Sequence, residues 1–370
     1  MDYVAPGPAI RQGWIMSDSP QAPPRSLLAA LHAYSGVTGP ELRASPVSTG
    51  LLHQTWAVET GSRQWIAQQV NPIFSPSIHE NIVRVTNHLR SRGLETVELC
   101  ATRDGGLFVD GADGSRWRLL RRMSGVTFDR CVGSAQARAA GVSVASFHSA
   151  LADFDAPLAP LGFPFHETSL HLQTLHQALS RHPDHPLHGD VNALTRQIEA
   201  AFESHRLPEA LPSRVIHGDL KLSNVLFTGS DPPACNEVVA LIDLDTVARR
   251  PLYFDLGDAW RSWCNRRTED AQEAQLDVSI YAAAVEGYRS ALGFALSADE
   301  WRSLEVALEW VTLELCARYA TDTLEENYFA WDAEHYASAA EHNWARASGQ
   351  WNLYQQALDT ATLRLEFVRG

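Results

Sequence analysis

The segment VIHGDLKLSNVLF places Asp219 five residues before Asn224, between two apolar runs of strand character. Nineteen residues after Asn224, VVALIDLD sets Asp243 at the end of another apolar run. A carboxylate, an amide and a second carboxylate at strand ends can surround one magnesium ion and one incoming hydroxyl. Magnesium prefers oxygen ligands and retains phosphate oxygens in its shell. A carboxylate within hydrogen-bond reach of an alcohol can receive its proton as a phosphoryl group moves across. Lys221, two residues past Asp219, would direct a fixed positive charge at that group. It is the only lysine in the chain, every other of the 30 basic residues being arginine, so any mechanism needing a second lysine is ruled out.

Simpler readings stand beside this one. Asp and Asn are also the residues that turns prefer. Asp245 is as well suited to partner an arginine or the backbone as to make a second metal contact. His217 is better read as a loop buttress bonded to backbone than as a catalytic group. Histidines at 166, 171, 176, 182, 185 and 188 form no i,i+4 pair and match no established zinc spacing.

The elements that must carry these residues follow from the patterning. Helical spacing begins at RSLLAALHAY, after Pro24. LLHQTWAVET and RQWIAQQV are β-rich runs separated by Gly61-Ser62, a hairpin. IHENIVRVTNHLRSRG is a helix closed by Gly93. VELCAT, GLFVDG and SRWRLLRRM are three strand-like runs with D-G turns between them. After Gly125 the chain turns helical in AQARAAGVSVASFHSALADF, HLQTLHQALS and VNALTRQIEAAFESH. Strand signals return only at RVIHG, NVLFTG and VVALIDLD, and DEWRSLEVALEWVTLELCARYA and HNWARASGQWNLYQQAL are helical again. This predicts an α+β, two-lobed fold with a small antiparallel-sheet N-lobe, residues 25–122, and a large mostly helical C-lobe, residues 123–370, behind a flexible tail, residues 1–24.

Composition excludes several classes. At 370 residues, 45% hydrophobic and 20% charged, the chain is an ordinary globular protein with ample material for a core. Thirty basic against 44 acidic residues give a net charge of −14, which disfavours nucleic-acid and anionic-membrane partners but not a small anionic ligand held by a few groups. Five widely spaced cysteines without a C-x-x-C read as reduced thiols of a cytoplasmic protein. No apolar run approaches a membrane span. The first residues lack a charged-then-apolar leader, and Met16 is an alternative start. Oligomeric state is left open, a monomer being compatible with all of this. Seven of the eleven tryptophans lie from Trp260 onward, where helical spacing makes them core first and sugar-packing faces second.

H-x-D-x-x-x-x-N followed by an apolar strand ending in Asp is the catalytic layout of the kinase fold. In its H-G-D form, with I-D-L-D in place of D-F-G, the chain resembles the aminoglycoside phosphotransferase and choline kinase-like superfamily, and within it the N-acetylhexosamine 1-kinase branch. GLLHQTW, QWIAQQVN, HENIVRV, HGDLKLSNVLF, LIDLDTV, FDLGDAWR, ARYATDT and HNWARASGQWNL carry the likeness over residues 47–355. The resemblance implies ATP and Mg2+ as cofactors and a small-molecule acceptor. Asp219 then matches the catalytic base, with Lys221 beside the transferred group, and Asn224 and Asp243 match the magnesium ligands. Gly50 falls in the loop over the phosphates, and Glu80 matches the carboxylate of the N-lobe helix. Arg318 matches a position that holds the sugar, although a structural ion pair competes with that role. Asp255 and Asp258 match an element read as structural.

One departure is informative. Where protein kinases carry a lysine on the third strand, this chain has Gln68, as does the sugar 1-kinase branch. An amide can donate to phosphate but brings no charge. Arg118, Arg121 and Arg122, on the neighbouring strand, are the candidates to supply it. No A-P-E follows Asp243, which argues against a protein kinase. The reading is an ATP-dependent kinase for a hydroxyl, taken as anomeric, of an N-acetylhexosamine or related sugar. The alternatives are a kinase for a cationic amine-bearing alcohol of the aminoglycoside or choline type, and a nucleotide-binding module without catalysis.

Overall fold

The structure, a computed structural model, describes residues 10–11, 22–47 and 53–370. The first strand, β1 (Ile10–Arg11), lies within the stretch expected to be a flexible tail, yet its backbone pairs antiparallel with β7 (Thr127–Phe128). Helix α1 (Arg25–Leu31) follows. A five-stranded antiparallel sheet is then built from β2 (Arg43–Val47), β3 (Gln54–Thr60), β4 (Arg63–Gln69), β5 (Val109–Asp110) and β6 (Arg116–Arg121), in the order β2-β3-β4-β6-β5. The β3–β4 hairpin turns at Gly61 as the sequence predicts. Between β4 and β5 runs α2 (Ile78–Ser91), followed by Gly93 at positive φ. The VELCAT run is not a strand. It contributes one isolated bridge, Leu99 to Leu120, with the Cys100 N–H donating to the Leu119 carbonyl and the Arg121 N–H to the Glu98 carbonyl, beside the stretch of β6 that β5 leaves uncovered.

Alternation along the strands decides what the sheet shows to each side. Trp56, Val58, Trp65, Ala67, Trp117 and Leu119 point one way and form a cluster with Leu27, Ala30 and Leu31 of α1. Thr55, Ile66, Gln68, Arg118 and Leu120 point the other way and line the cleft. Thr55, Gln68 and Arg118 stand in one cross-strand row, since Thr55 pairs with Gln68 and Gln68 with Arg118. Two polar side chains and a charged one are therefore carried to the cleft wall by the same register that buries three tryptophans behind it.

The rest is mainly helical: α3 (Ser134–Ala150), α4 (Thr168–Arg181), α5 (His188–Ser204), α6 (Tyr253–Trp263), α7 (Val278–Ala291), α8 (Ala298–Leu304), α9 (Ala307–Glu325) and α10 (Ala339–Arg369). The single helix expected over 299–320 is two, broken at Glu305–Val306. Two short antiparallel ladders sit among the helices. One joins β8 (Arg214–Ile216) to β11 (Ala248–Arg250), and the other joins β9 (Val225–Phe227) to β10 (Val238–Leu241). The chemistry-bearing loops leave from these ladders. A large core runs from α2 through the ladders to α3, α6 and α7, and a second packs α4, α5, α9 and α10 together. All five cysteines are free thiols.

Helices α3 and α7 approach so closely that glycine is required on both. A Cβ at Gly141 would lie 2.3 Å from the Ala284 carbonyl, and one at Gly287 would lie 2.2 Å from the Arg138 carbonyl. Neither neighbour is a side-chain end that can swing away. Gly287→Ala should therefore cost about 1–3 kcal/mol by overpacking, read as a lowered midpoint of urea unfolding, despite alanine's better helix propensity.

Candidate active site

Asp219, Lys221 and Asn224 converge because the loop after β8 is held at several points. Gly218 has φ +88°, and a Cβ there would meet Phe165 Cζ at 2.5 Å and the Thr246 carbonyl at 2.7 Å, so only glycine fits. Asp255 on α6 accepts from the backbone N–H of His217 at 2.7 Å and of Gly218 at 2.6 Å. His148 of α3 donates to the same carboxylate at 2.9 Å. His217 turns inward, its Nε2 on the Ile242 carbonyl at 2.9 Å, which is a buttress and not a catalytic placement. Trp263 Nε1 donates to the Leu220 carbonyl at 2.7 Å. Asp255 is structural, as read from sequence.

Within that loop, Lys221 Nζ donates to Asp219 Oδ2 at 2.8 Å, and Asn224 Nδ2 donates to the same oxygen at 3.0 Å. Asp219 Oδ1 makes no hydrogen bond among the described residues, which leaves it for an incoming hydroxyl. Burial raises the Asp219 pKa, but the charge and hydrogen bond of Lys221 outweigh it and the net shift is downward. The group is an ionised acceptor at neutral pH. Burial alone would lower the Lys221 pKa; the Asp219 and Asp243 carboxylates reverse this and hold the ammonium charged.

Asp243 follows β10 in the left-handed conformation, φ 66°, which aspartate tolerates better than most residues. Its carboxylate makes no hydrogen bond among the described residues, and burial together with the neighbouring Asp245 raises its pKa. An unpaired, partly buried carboxylate beside another is a site short of a cation. Asn224 offers its free Oδ1 from the facing turn. These hard oxygens fit magnesium, and they are the residues that would hold it, with the remaining positions open to water and phosphate oxygens.

Asp245 has a different task. Arg118 grips it bidentately, Nη1 to Oδ1 at 2.6 Å and Nη2 to Oδ2 at 2.9 Å, and His53 Nε2 reaches Oδ2 at 2.6 Å. The Asn71 N–H donates to His53 Nδ1 at 3.1 Å, which fixes the proton on Nε2 and makes His53 a donor to Asp245. Arg118 also donates through Nε and Nη2 to Gln68 Oε1, at 3.0 and 2.7 Å. The pair is almost entirely buried, with side-chain exposures of 2% and 4%. Burial raises the Asp245 pKa, but Arg118 and His53 carry it well below the usual carboxylate range. His53, Asp243 and Asp245 present ligand atoms within 4.8 Å of one another. Both oxygens of Asp245 and both nitrogens of His53 are spent, however, so Asp243 is the member of that group free to take a metal.

Other sequence expectations sort as follows. Gln68 reaches the cleft and pairs with Arg118 instead of standing alone. Arg121 pairs with Glu98, and Arg122 with Glu59, so Arg118 is the guanidinium buried in the wall. Glu80 requires correction. The buried face of α2 consists of residues 78, 79, 81, 82, 85, 86 and 89, which puts position 80 on the opposite side. Its carboxylate is 60% exposed and pairs with Arg84 one turn on. Gly50 lies outside the described residues. The histidines at 166, 176, 182 and 185 each face a separate glutamate, not one another. Asp258 pairs with Arg261 at 2.6 Å.

The cleft continues past Asp219 into one cavity of about 490 Å³. Arg318 lies at its far end, over the rings of Tyr328 at 5.6 Å and Phe329 at 5.5 Å, with Nη2 donating to the Tyr328 hydroxyl at 3.2 Å. The acids there are already engaged. Arg261 bridges Asp258 and Glu269, Arg346 holds Asp270, and His166 meets Glu314 at 2.8 Å. Glu314, on α9 one turn before Arg318, is pushed up by burial yet held at about 2 by His166 and the Thr168 hydroxyl. Sequence reading missed His53, Glu269, Asp270, Glu314 and the Tyr328-Phe329 pair, whose common signal is proximity in space alone.

A sheet wall, a loop bearing an ionised acceptor beside a lysine, and an oxygen-rich cation site define a phosphotransferase. The model of the phosphotransferase enzyme family matches residues 43–294, and the chain belongs to that family. Among solved structures it is similar to a microcompartment-associated aminopropanol kinase, with 20% identity, 92% of this chain and 98% of that one covered, and a TM-score of 0.62. It is similar to an aminoglycoside phosphotransferase from Alicyclobacillus acidocaldarius, with 16% identity, coverages of 95% and 96%, and a TM-score of 0.53. It is also similar to an amicoumacin kinase in complex with AMP-PNP and Ca2+, with 10% identity, coverages of 89% and 92%, and a TM-score of 0.58. Identities this low speak for the fold, which is that of the small-molecule kinases. No described helix is long and apolar enough to cross a membrane.

Arg118→Met would leave the Asp245 carboxylate buried without its counter-ion. It should lower unfolding stability by about 3–5 kcal/mol in urea titrations. Arg121→Met, on an exposed pair, should change it by less than about 1 kcal/mol.

Proposed function

We propose that this phosphotransferase moves the γ-phosphoryl group of ATP to the anomeric hydroxyl of an N-acetylhexosamine or a close relative. Asp219 Oδ1 accepts the hydrogen bond of that hydroxyl and takes its proton as the bond to phosphorus forms. Lys221 and Asn224 hold the other carboxylate oxygen, so the acceptor is aimed by a carboxylate that cannot rotate. In a loose phosphoryl-transfer transition state such positioning, with charge stabilisation, is most of what the protein supplies. Lys221 contributes the charge from this side. Asn224 and Asp243 would hold magnesium, which when bound neutralises phosphate oxygens. Gln68 presents its amide to the nucleotide, while Arg118 is occupied in bracing Asp245.

The observation that carries the acceptor class is the charge state of the cavity's far end. Asp258, Glu269, Asp270 and Glu314 each have a basic partner, whereas Arg318 has no carboxylate partner among the described residues. A substrate ammonium would meet carboxylates that already have basic partners, with Asp258 Oδ2 left unbonded, and would face the Arg318 guanidinium. A neutral polyhydroxylated ring finds donors, acceptors and aromatic faces together, and a carbonyl such as that of an N-acetyl group suits Arg318. The aminopropanol and aminoglycoside kinases of the same fold make an amine-bearing alcohol the second reading.

The deciding experiment is ADP release with ATP and Mg2+ over N-acetylglucosamine, N-acetylgalactosamine, glucosamine, choline and kanamycin. Turnover selective for the acetylated sugars supports the proposal, and turnover of only the cationic acceptors overturns it. Asp219→Asn should lower kcat by about 10²–10⁴ while calorimetric ATP affinity is kept, and full activity in that variant would refute the mechanism. Asp243→Asn should abolish Mn2+ binding by electron paramagnetic resonance, a readout independent of turnover.

A further inference from the structure

Two loops flank the acceptor end of the cleft. Residues 265–277 join α6 to α7 and supply Thr268, Glu269 and Asp270 to the cavity wall. Residues 326–338 join α9 to α10 and supply Tyr328 and Phe329. They are 49 or more residues apart in sequence, yet both are fastened to the first turns of α10 by the same two side chains.

His342 Nε2 donates to Asp270 Oδ1 at 3.0 Å, and its Nδ1 accepts from the backbone N–H of Asp332 at 3.0 Å. Arg346 Nε donates to Asp270 Oδ1 at 2.8 Å, and its Nη1 to the Ala330 carbonyl at 2.8 Å. Tyr336 closes the arrangement. Its hydroxyl donates to the Asp270 carbonyl at 2.8 Å, and its ring stacks on His342 at 4.0 Å and 10°. Burial and Arg346 lower the His342 pKa, which agrees with the neutral tautomer that the two bonds require. Asp322, at the end of α9, accepts from the backbone N–H groups of Asn327, Tyr328 and Phe329 and fixes the start of the second loop.

Exposure is unequal across this staple. The His342 side chain is 2% exposed and that of Arg346 4%, against 54% for Asp270. The α10 side is buried, and Asp270 is the member that solvent reaches. His342 itself does not line the cavity.

We propose that His342 and Arg346 are positioning residues that hold both loops at a fixed separation through Asp270, and so set which acceptors fit beside Arg318. The proposal rests on the reading that this end of the cleft holds the acceptor. A wall of fixed width excludes larger substituents by sterics, and release of Asp270 would admit them while loosening the hold on the native acceptor. The nucleotide end, more than a loop away, would be unaffected.

The test compares wild type with Asp270→Ala, Asp270→Asn, His342→Gln and the Asp270→Ala/His342→Gln double variant, using N-acetylglucosamine and its N-butanoyl analogue. Added methylenes should be rejected by wild type about tenfold or more in kcat/KM. In Asp270→Ala that ratio should fall toward one, with acceptor KM raised and ATP KM unchanged. Asp270→Asn, which keeps the Oδ1 acceptor, should restore part of the selectivity. His342→Gln should reproduce the loss from the other end, and the double variant should equal either single change instead of adding to it. Amide hydrogen exchange should rise in residues 330–336 on substitution at Asp270. Equal shifts in acceptor and ATP KM, an unchanged ratio, or faster exchange confined to the substituted loop would overturn the proposal. Should His342→Gln fail to fold, the half-exposed Asp270 variants still decide it. Should wild type turn over no acetylated hexosamine, the acceptor reading fails, and the coupling of the loops is decided by the exchange measurement.

Discussion

The buried pair between Arg118 and Asp245 is the constraint on which the cleft depends. One partner belongs to the sheet and the other to the turn that presents Asp243. Two desolvated charges at this spacing are stable only with near-complete hydrogen bonding, since the attraction barely repays the cost of leaving water. Gln68 and His53 supply that completion. Removing Arg118 or Asp245 strands a charge and removing Gln68 or His53 costs that charge a hydrogen bond, so the four residues fix the sheet relative to the turn bearing Asp243 more firmly than apolar packing alone would. The guanidinium that the sequence suggested as a phosphate contact is thereby committed to holding the wall. On the proposed reading, positive charge toward the nucleotide would come from Lys221 and from a cation held by Asp243 and Asn224.

That division explains the pattern of charges along the cleft. Asp245 is paired, so its burial is stable without a ligand. Asp243, two residues away, is unpaired and its pKa is raised. Unsatisfied carboxylate remains at Asp243 and at Asp258 Oδ2, whose pKa values burial raises, whereas Arg118 neutralises Asp245. Asp219 lies between these regimes, ionised by Lys221 and with one oxygen unspent. In a chain carrying a net charge of −14, most acids around the cleft thus have a basic partner within the protein.

The legibility of the fold and of the site differed for physical reasons. Hairpin, helices and catalytic loop followed from local signals: period-2 alternation, apolar spacing at 3.6, and an H-G-D between strand-like runs. Gly218 and Asp255 sit where the motif put them because a tight loop needs backbone donors satisfied within a few residues. VELCAT meets the end of β6 through a single bridge, and how far such pairing runs depends on the path of the chain, which composition does not reveal. Glu80 failed for a related reason: a motif position fixes the helix but not its rotation, and the apolar residues 78, 82, 85 and 89 turned it outward. Arg118 was one of three candidates, and only the register against β4 shows which arginine shares the inner face with Gln68.

The acceptor end was the least legible because nothing local defines it. Arg318 could be named from a motif, but the groups that give it meaning come from α6, α9 and two separate loops. On the proposed reading, what selects a substrate there is the balance between paired and unpaired charge, which is assembled from groups on both loops. Arg261 engages both Asp258 and Glu269, a single guanidinium shared by acids from a helix and from a loop. Such sharing gives each acid a basic partner, although Asp258 Oδ2 stays without a hydrogen bond. The charge that lines this cleft therefore follows from how the protein pairs its own groups, as much as from which residues face the cavity.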